Sequence, residues 1–145
     1  MSAARALADL TMKVLIIDDE PMVRLALGYA LSVAGWEVFD HDQHADFPAL
    51  IRQHGIDVVI SDFKMAKFSG LDLIETIRDA GIEIPILMLS ANPYAIDRER
   101  AKRLRVFKIM EKPPDLRRLS KDLEEAVAAG SKSRDAPTSI AARQG

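Results

Sequence analysis

Val14-Leu15-Ile16-Ile17 runs directly into Asp18-Asp19-Glu20, an unbroken apolar block closed by three acids. A strand with one wet face alternates apolar and polar residues, whereas a strand covered on both faces reads as a continuous hydrophobic run. Three further blocks of this kind follow, Asp57 to Ile60, Ile84 to Leu89 and Val106 to Met110, with a shorter and weaker one at Trp36 to Phe39. Helical spacing fills the intervals. Val23, Leu27, Ala30, Leu31 and Ala34 share a face that ends at Gly35, and Leu50 and Ile51 lie in a shorter helix that ends before Gly55. Leu71, Ile74 and Ile77 precede Gly81, with Ser69 and Asp72 spaced as a capping box. Asp115, after Pro113-Pro114, reads as the N-cap of a last helix carrying Leu116, Leu119, Leu123 and Val127 on one face. Five strand–helix alternations predict an α/β fold, a doubly wound five-stranded parallel sheet covered on both sides.

The rest of the chain bounds this reading. Its 145 residues suit one domain, and 48% apolar with 29% charged residues is the profile of a chain that builds a core. A net charge of −2 gives no electrostatic case for nucleic acid. The absence of cysteine removes disulfides, thiolate metal sites and thiol nucleophiles. No apolar run reaches the roughly 18 to 20 residues that span a bilayer, and Met1 to Thr11 lack the apolar stretch of a signal peptide, so a cytoplasmic protein without membrane contact is expected. The domain is expected over 12–130, with 1–11 as an N-terminal extension in which Leu7 and Leu10 could touch it. The polar, proline-containing 131–145 reads as a flexible tail or linker stub.

Open α/β sheets bind ligands beyond the carboxyl ends of their strands, so the residues just after each apolar block matter most. They are Asp18, Asp19 and Glu20 after the first block, Asp62 after the third, Ser90 and Ala91 after the fourth, and Lys112-Pro113 after the fifth. In the order 2-1-3-4-5 the first and third strands are neighbours, and Asp18 and Asp19 stand beside Asp62. Two carboxylates about 4 Å apart repel by roughly 4 kcal/mol at an effective dielectric near 20, so such a cluster calls for a cation or a raised pKa. Oxygen ligands without His or Cys point to Mg²⁺, with Mn²⁺ as an alternative. Lys112 adds a compact positive charge for a phosphoryl group, and Ser90 adds a hydroxyl donor.

These segments together, Val14 to Glu20, Asp57 to Met65 with Gly70, Leu87 to Ala91 and Glu111-Lys112-Pro113, resemble the response regulator receiver family over roughly Met12 to Gly130. The resemblance implies a flavodoxin-like (βα)5 sandwich and a phosphorylation switch in a two-component phosphorelay, not an enzyme with a separate substrate. It implies that Asp62 accepts a phosphoryl group from a sensor histidine kinase or phosphotransfer protein. Asp19, Asp62 and the backbone carbonyl of Lys64 would ligate Mg²⁺, with Asp18 holding it through water. Ser90 matches the switch hydroxyl and Lys112 the family's lysine, and the Lys112-Pro113 bond is similar to one that is cis in the family. The fourth helix, fifth strand and fifth helix would form the output face.

The sequence departs from the family pattern at three places. Ala66 stands where proline is usual, Ile109 occupies the position of the aromatic switch residue with Phe107 two residues earlier, and Lys64 follows Asp62 by two places, where its side chain could alter the lifetime of a phosphoaspartate. Arg98, Arg100, Lys102, Arg103, Arg105 and Lys108 form a basic run. Such a run is either a solvated helix face or a docking face for an acidic downstream protein or a homodimer, and Arg117, Arg118 and Lys121 extend it. His41, His44 and His54 fall in or near the second strand–helix unit, as surface residues rather than ligands. The competing functions are a receiver that is never phosphorylated and serves as a constitutive binding module, and a phosphatase or flavodoxin-like protein. A glycine-rich phosphate loop and the spaced second acid of an aspartate phosphatase are both missing. Direct nucleic acid binding is not expected, because no recognition module remains once this domain is counted.

Overall fold

The computed structural model of the chain describes residues 11–66 and 68–135, the last five through their backbone alone. Its strands are β1 (Lys13–Ile17), β2 (Glu37–His41), β3 (Val58–Asp62), β4 (Ile86–Ser90) and β5 (Val106–Glu111). Its helices are α1 (Pro21–Val33), α2 (Phe47–His54), α3 (Gly70–Asp79), α4 (Arg98–Arg103) and α5 (Leu116–Asp135), with a 3-10 turn at Pro93–Ala95. The strands form one parallel sheet in the order β2-β1-β3-β4-β5, the expected doubly wound arrangement.

Side chains alternate across this sheet, and both faces are dry. Leu15, Ile17, Val59, Ile86 and Met88 pack with Phe47 and Ile51 of α2, Leu71, Ile74 and Ile77 of α3, and Ala101 of α4. Val14, Ile16, Val58, Ile60, Leu87 and Leu89 pack on the other side with Leu27 and Leu31 of α1 and Leu119, Leu123 and Ala126 of α5. This two-sided burial is the reason the blocks are continuous in sequence. Trp36 closes the second layer, buried with its Nε1 donating to Ser120 Oγ at 2.8 Å.

Local chemistry sets the helix ends. Asp46 caps α2 by accepting from Ala49 N, and Gly55 ends it in the left-handed region at φ 67°, which costs glycine little. Ser69 and Asp72 form the expected reciprocal capping box on α3. Asp115 accepts from Arg117 N at 3.0 Å ahead of α5. That helix runs to Asp135, through the first five residues of the segment read as a tail. The 1–10 part of the N-terminal extension, with Leu7 and Leu10, and residues 136–145 lie outside the described residues.

The basic run is not one helix face. α4 spans only Arg98–Arg103, Arg105 turns the chain in the left-handed region at φ 60°, and Lys108 lies in β5. Arg100 pairs with Asp72 and Glu75, Arg105 with Glu83, and Lys108 with Asp122. Half of the six cations thus hold neighbouring elements of the same chain.

Candidate functional site

β1 and β3 are direct neighbours, with Ile17 opposite Ser61, so their carboxyl ends deliver Asp18 and Asp62 side by side. Both are buried, at 1% and 5% exposure. Lys112 arrives from the end of β5, its backbone N–H donating to Ser90 O at the end of β4 at 2.9 Å, and the Lys112-Pro113 peptide is cis. Its Nζ sits 3.1 Å from Asp18 Oδ2, 3.1 Å from Asp62 Oδ1 and 3.7 Å from Glu20 Oε1. One ammonium therefore faces three carboxylates.

The balance of these charges shows in their titration. Burial, and after it the adjacent Asp18 carboxylate, push the Asp62 carboxyl above its usual range, against the pull of Lys112. Burial draws the Lys112 ammonium down, but Asp62 and Asp18 more than reverse this, and it titrates above an ordinary lysine. Oxygens of Asp18, Glu20 and Asp62 lie within 4.8 Å of one another, close enough to share one cation. Hard carboxylate oxygens with excess negative charge suit a divalent ion such as Mg²⁺.

The other expected residues reach the same rim in different states. Asp19 Oδ2 accepts from Ala66 N at 2.7 Å, which ties the loop after β3 to the acid turn. Lys64 is exposed, and its backbone bridges Ser69. The buried Ser90 hydroxyl accepts from Asn92 N at 3.0 Å and is turned into its own loop. Ile109 lies opposite Met88 and packs on the α2–α4 side, while Phe107 is partly exposed. Histidines 41, 44 and 54 belong to the second strand–helix unit. The His41 ring contacts Asp42 at 3.1 Å, and the His54 ring stacks on Phe39.

Two contributors were given no role from sequence, although Glu20 was named with Asp18 and Asp19 among the strand-end acids. Glu20 joins the acid cluster, although it follows Asp19 directly in the motif. Arg24 donates to Asp18 O at 2.5 Å and lies 3.7 Å from Asp40, so α1 pins the backbone of the acid turn. Its place one turn into a helix that opens after three acids is the signal that went unused. Gly70 is a third positioning element. A Cβ there would stand 2.3 Å from the Asp62 carbonyl oxygen, so only glycine lets α3 start this close to β3.

A parallel α/β sheet whose central strand ends gather buried acids around a lysine defines a class of phosphate- and metal-handling switch domains. The chain belongs to the response regulator receiver domain family, whose sequence profile matches residues 14–124. It is therefore a receiver domain of two-component systems, a signalling switch of a family generally phosphorylated by histidine kinases. It is 27% identical over 124 residues to the sensor histidine kinase RcsC of Escherichia coli, covering 86% of this chain and 13% of that one. It is 27% identical to the transcriptional regulatory protein GlrR of Escherichia coli, covering 78% and 26%. The chain thus spans only a small part of these relatives' length. Among solved structures, the chemotaxis protein CheY4 of Vibrio cholerae superposes with a TM-score of 0.72 at 26% identity, covering 80% of this chain and 98% of that one. A receiver domain from Clostridium thermocellum gives 0.74 at 25%, covering 83% and 97%. No helix among the described residues is long and apolar enough to cross a membrane.

Proposed function

We propose that Asp62 is the phosphoacceptor of this domain. One of its carboxylate oxygens attacks the phosphorus of a phosphohistidine on a sensor histidine kinase or phosphotransfer protein. The P–N bond breaks, and the leaving imidazole nitrogen takes a proton from solvent. One observation carries this reading: Asp62 is a buried carboxylate at the end of a central strand, 3.1 Å from the Lys112 ammonium and pushed toward protonation by burial and Asp18.

Asp18, Asp19, Asp62 and the Lys64 backbone carbonyl, with Glu20 added, are the groups that would hold Mg²⁺ or Mn²⁺. A bound divalent ion supplies positive charge to offset that of the phosphoryl oxygens. A carboxylate offers about four lone-pair sites, so Asp19 can keep its bond to Ala66 N and still ligate. Lys112 balances the charge of a phosphoryl group on Asp62. Ser90 leaves Asn92 N to donate to a phosphoryl oxygen, which moves the loop that follows β4. The α4-β5-α5 face reads out that movement to a downstream protein or a second copy in the cytoplasm. Arg98, Lys102 and Arg103 supply its exposed charge beside Phe107, and added salt weakens that contact.

Acetyl phosphate with Mg²⁺ is expected to label the wild type and not Asp62→Asn. Labelling without a divalent ion, or of Asp62→Asn, overturns the assignment. Lys64→Asn is expected to change the decay rate of the label, and an unchanged rate removes that side chain from the hydrolysis.

A further inference from the structure

Helix α1 is apolar on two sides. Leu27 and Leu31 face the core, while Met22, Leu25, Tyr29 and Val33 stand in solvent at 73, 64, 73 and 71% exposure. A helix that is hydrophobic all round is normally covered all round. Every exposed residue of α1 is uncharged, and the helix's one charged side chain, Arg24, is turned to Asp18 O and Asp40. The exposed faces of α3 and α5 differ, carrying Asp72, Glu75 and Asp79, and Arg117, Arg118 and Lys121.

The same surface holds a recess. Met22, Val23 and Ala26 of α1 form one wall of a groove of about 420 Å³, and Pro113, Pro114 and Leu116 form the other. Lys112 and Glu20 stand at its polar end. Tyr29, one helical turn beyond Ala26, protrudes next to this recess without entering its lining. A protruding aromatic and an apolar groove on one face are what a two-fold contact requires, because each copy offers the other both the knob and the hole.

We propose that α1 is the contact surface of a homodimer in which two copies pack α1 antiparallel about an axis near Ala26. In that register residue 29 of one copy stands opposite residue 23 of the other, so each Tyr29 ring fills the partner copy's groove. Its hydroxyl then points to the polar end, the amphipathic use for which tyrosine is favoured at interfaces. Ala26 lets the helices approach closely, and the uncharged face brings no like charges together. Met22, Leu25, Tyr29, Val33 and the half-exposed Leu116 present roughly 500–600 Å² of apolar surface, at the upper end of patches on monomers. Complete burial of these side chains in both copies would cover about 1,000 Å², the lower bound for a specific interface. This dimer is separate from any contact through Arg98–Lys108, and it does not rest on the phosphoacceptor assignment.

Sedimentation equilibrium of the full chain, without Mg²⁺ or phosphodonor, tests it. The wild type is expected to dimerise in the micromolar range, Tyr29→Ala and Leu25→Glu to weaken the dimer at least ~10-fold, and Phe107→Glu, on the other side of the domain, to leave it unchanged. Both α1 substitutions remove solvent-exposed side chains, so thermal melts unchanged at concentrations too low for the dimer will show that the variants fold. A wild-type chain monomeric at about 200 µM, well above that range, overturns the proposal. So does a dimer that survives both α1 substitutions. A monomer that loses phosphotransfer from a phosphohistidine protein on Leu25→Glu, but keeps labelling by acetyl phosphate, gives the stripe to that phosphodonor and overturns it as well.

Discussion

At the amino edge of the sheet one buried guanidinium is surrounded by backbone carbonyls, and at the carboxyl edge one ammonium is outnumbered by carboxylates. Arg78, at the end of α3, donates from Nε to Leu104 O at 2.8 Å, from Nη1 to Ile82 O at 3.1 Å and Ile84 O at 2.7 Å, and from Nη2 to Arg105 O at 3.1 Å. These four acceptors precede β4 and β5, so a single side chain fixes the entry of two strands and supports the left-handed turn at Arg105. Burial pulls its guanidinium below the ordinary arginine value, yet four of its five N–H donors are directed to fixed carbonyls. Asp18 and Asp62 are buried to a similar degree and Lys112 is partly buried, but their charges do not cancel. The contrast separates two uses of buried charge: a satisfied group holds the fold, whereas an unbalanced one is held ready for a ligand by the surrounding structure.

The largest effect belongs to the satisfied end. Arg78→Met keeps much of the aliphatic stem but leaves four carbonyls without their donor. A loss of about 3–5 kcal/mol is expected, since each buried acceptor left unpaired costs roughly 1–3 kcal/mol and some will find water. The urea midpoint measures it, with the slope unchanged. The folded protein should bind Mg²⁺ as the wild type does. A loss under about 1 kcal/mol would mean that water replaces the guanidinium and that Arg78 is not the anchor.

Gly70→Ala sharpens the comparison by disturbing backbone at the carboxyl edge. The added methyl would stand 2.3 Å from Asp62 O and 3.1 Å from Phe63 Cα, and neither is the end of a flexible side chain. A cost of about 2–3 kcal/mol is expected, with slower labelling because Asp62 is displaced. The control is Gly130→Ala in α5, where the new Cβ meets only Pro85 Cδ and Cγ, at 3.6 and 4.0 Å, in ordinary van der Waals contact. There the gain in helix propensity should leave stability unchanged or raise it by about 0.5–1 kcal/mol. Equal losses at both glycines, read from urea melts, would remove the special claim for Gly70.

Much of the carboxyl edge was legible in sequence because parallel strands buried on both faces announce themselves as continuous apolar runs, and the polar residues that end them must share one edge. The strand ends were read short: β3 runs to Asp62 and β4 to Ser90, since the ladder continues under polar side chains as Asp62 opposite Leu89 and Ser90 opposite Glu111. The amino edge was much less legible. Arg78 follows Leu71 and Ile74 at helical spacing, so a cation stood in an apolar position, and that signal went unused. The pairing within the basic run was not legible for a different reason. Its partners Asp72, Glu75, Glu83 and Asp122 are distant in sequence, and nothing local marks Arg105 as the left-handed residue that ends α4. Periodicity reports which face of an element is buried, but it says nothing of which charges meet.

The smallest expected effect tests whether the carboxyl edge is unbalanced at all. Asp62 titrates above its unfolded value, chiefly through burial and then through Asp18, so the folded state resists ionising it. The stability this group contributes is fully present below the unfolded pKa, near 3.9, and is lost as the pH rises through the folded pKa. At pH 7 with divalent ions chelated, Asp62→Asn should therefore melt a few degrees higher than the wild type, with the advantage vanishing toward pH 3. Millimolar Mg²⁺ should close the gap by stabilising the wild type more than the variant. The opposing force is the Lys112 ammonium at 3.1 Å, which the variant keeps paired only with Asp18 and, more distantly, Glu20. If Asp62→Asn melts lower at pH 7, the Lys112 attraction outweighs burial and Asp18 repulsion. The two edges would then be alike, each a buried charge already satisfied, and the physical case for a waiting cation would fall.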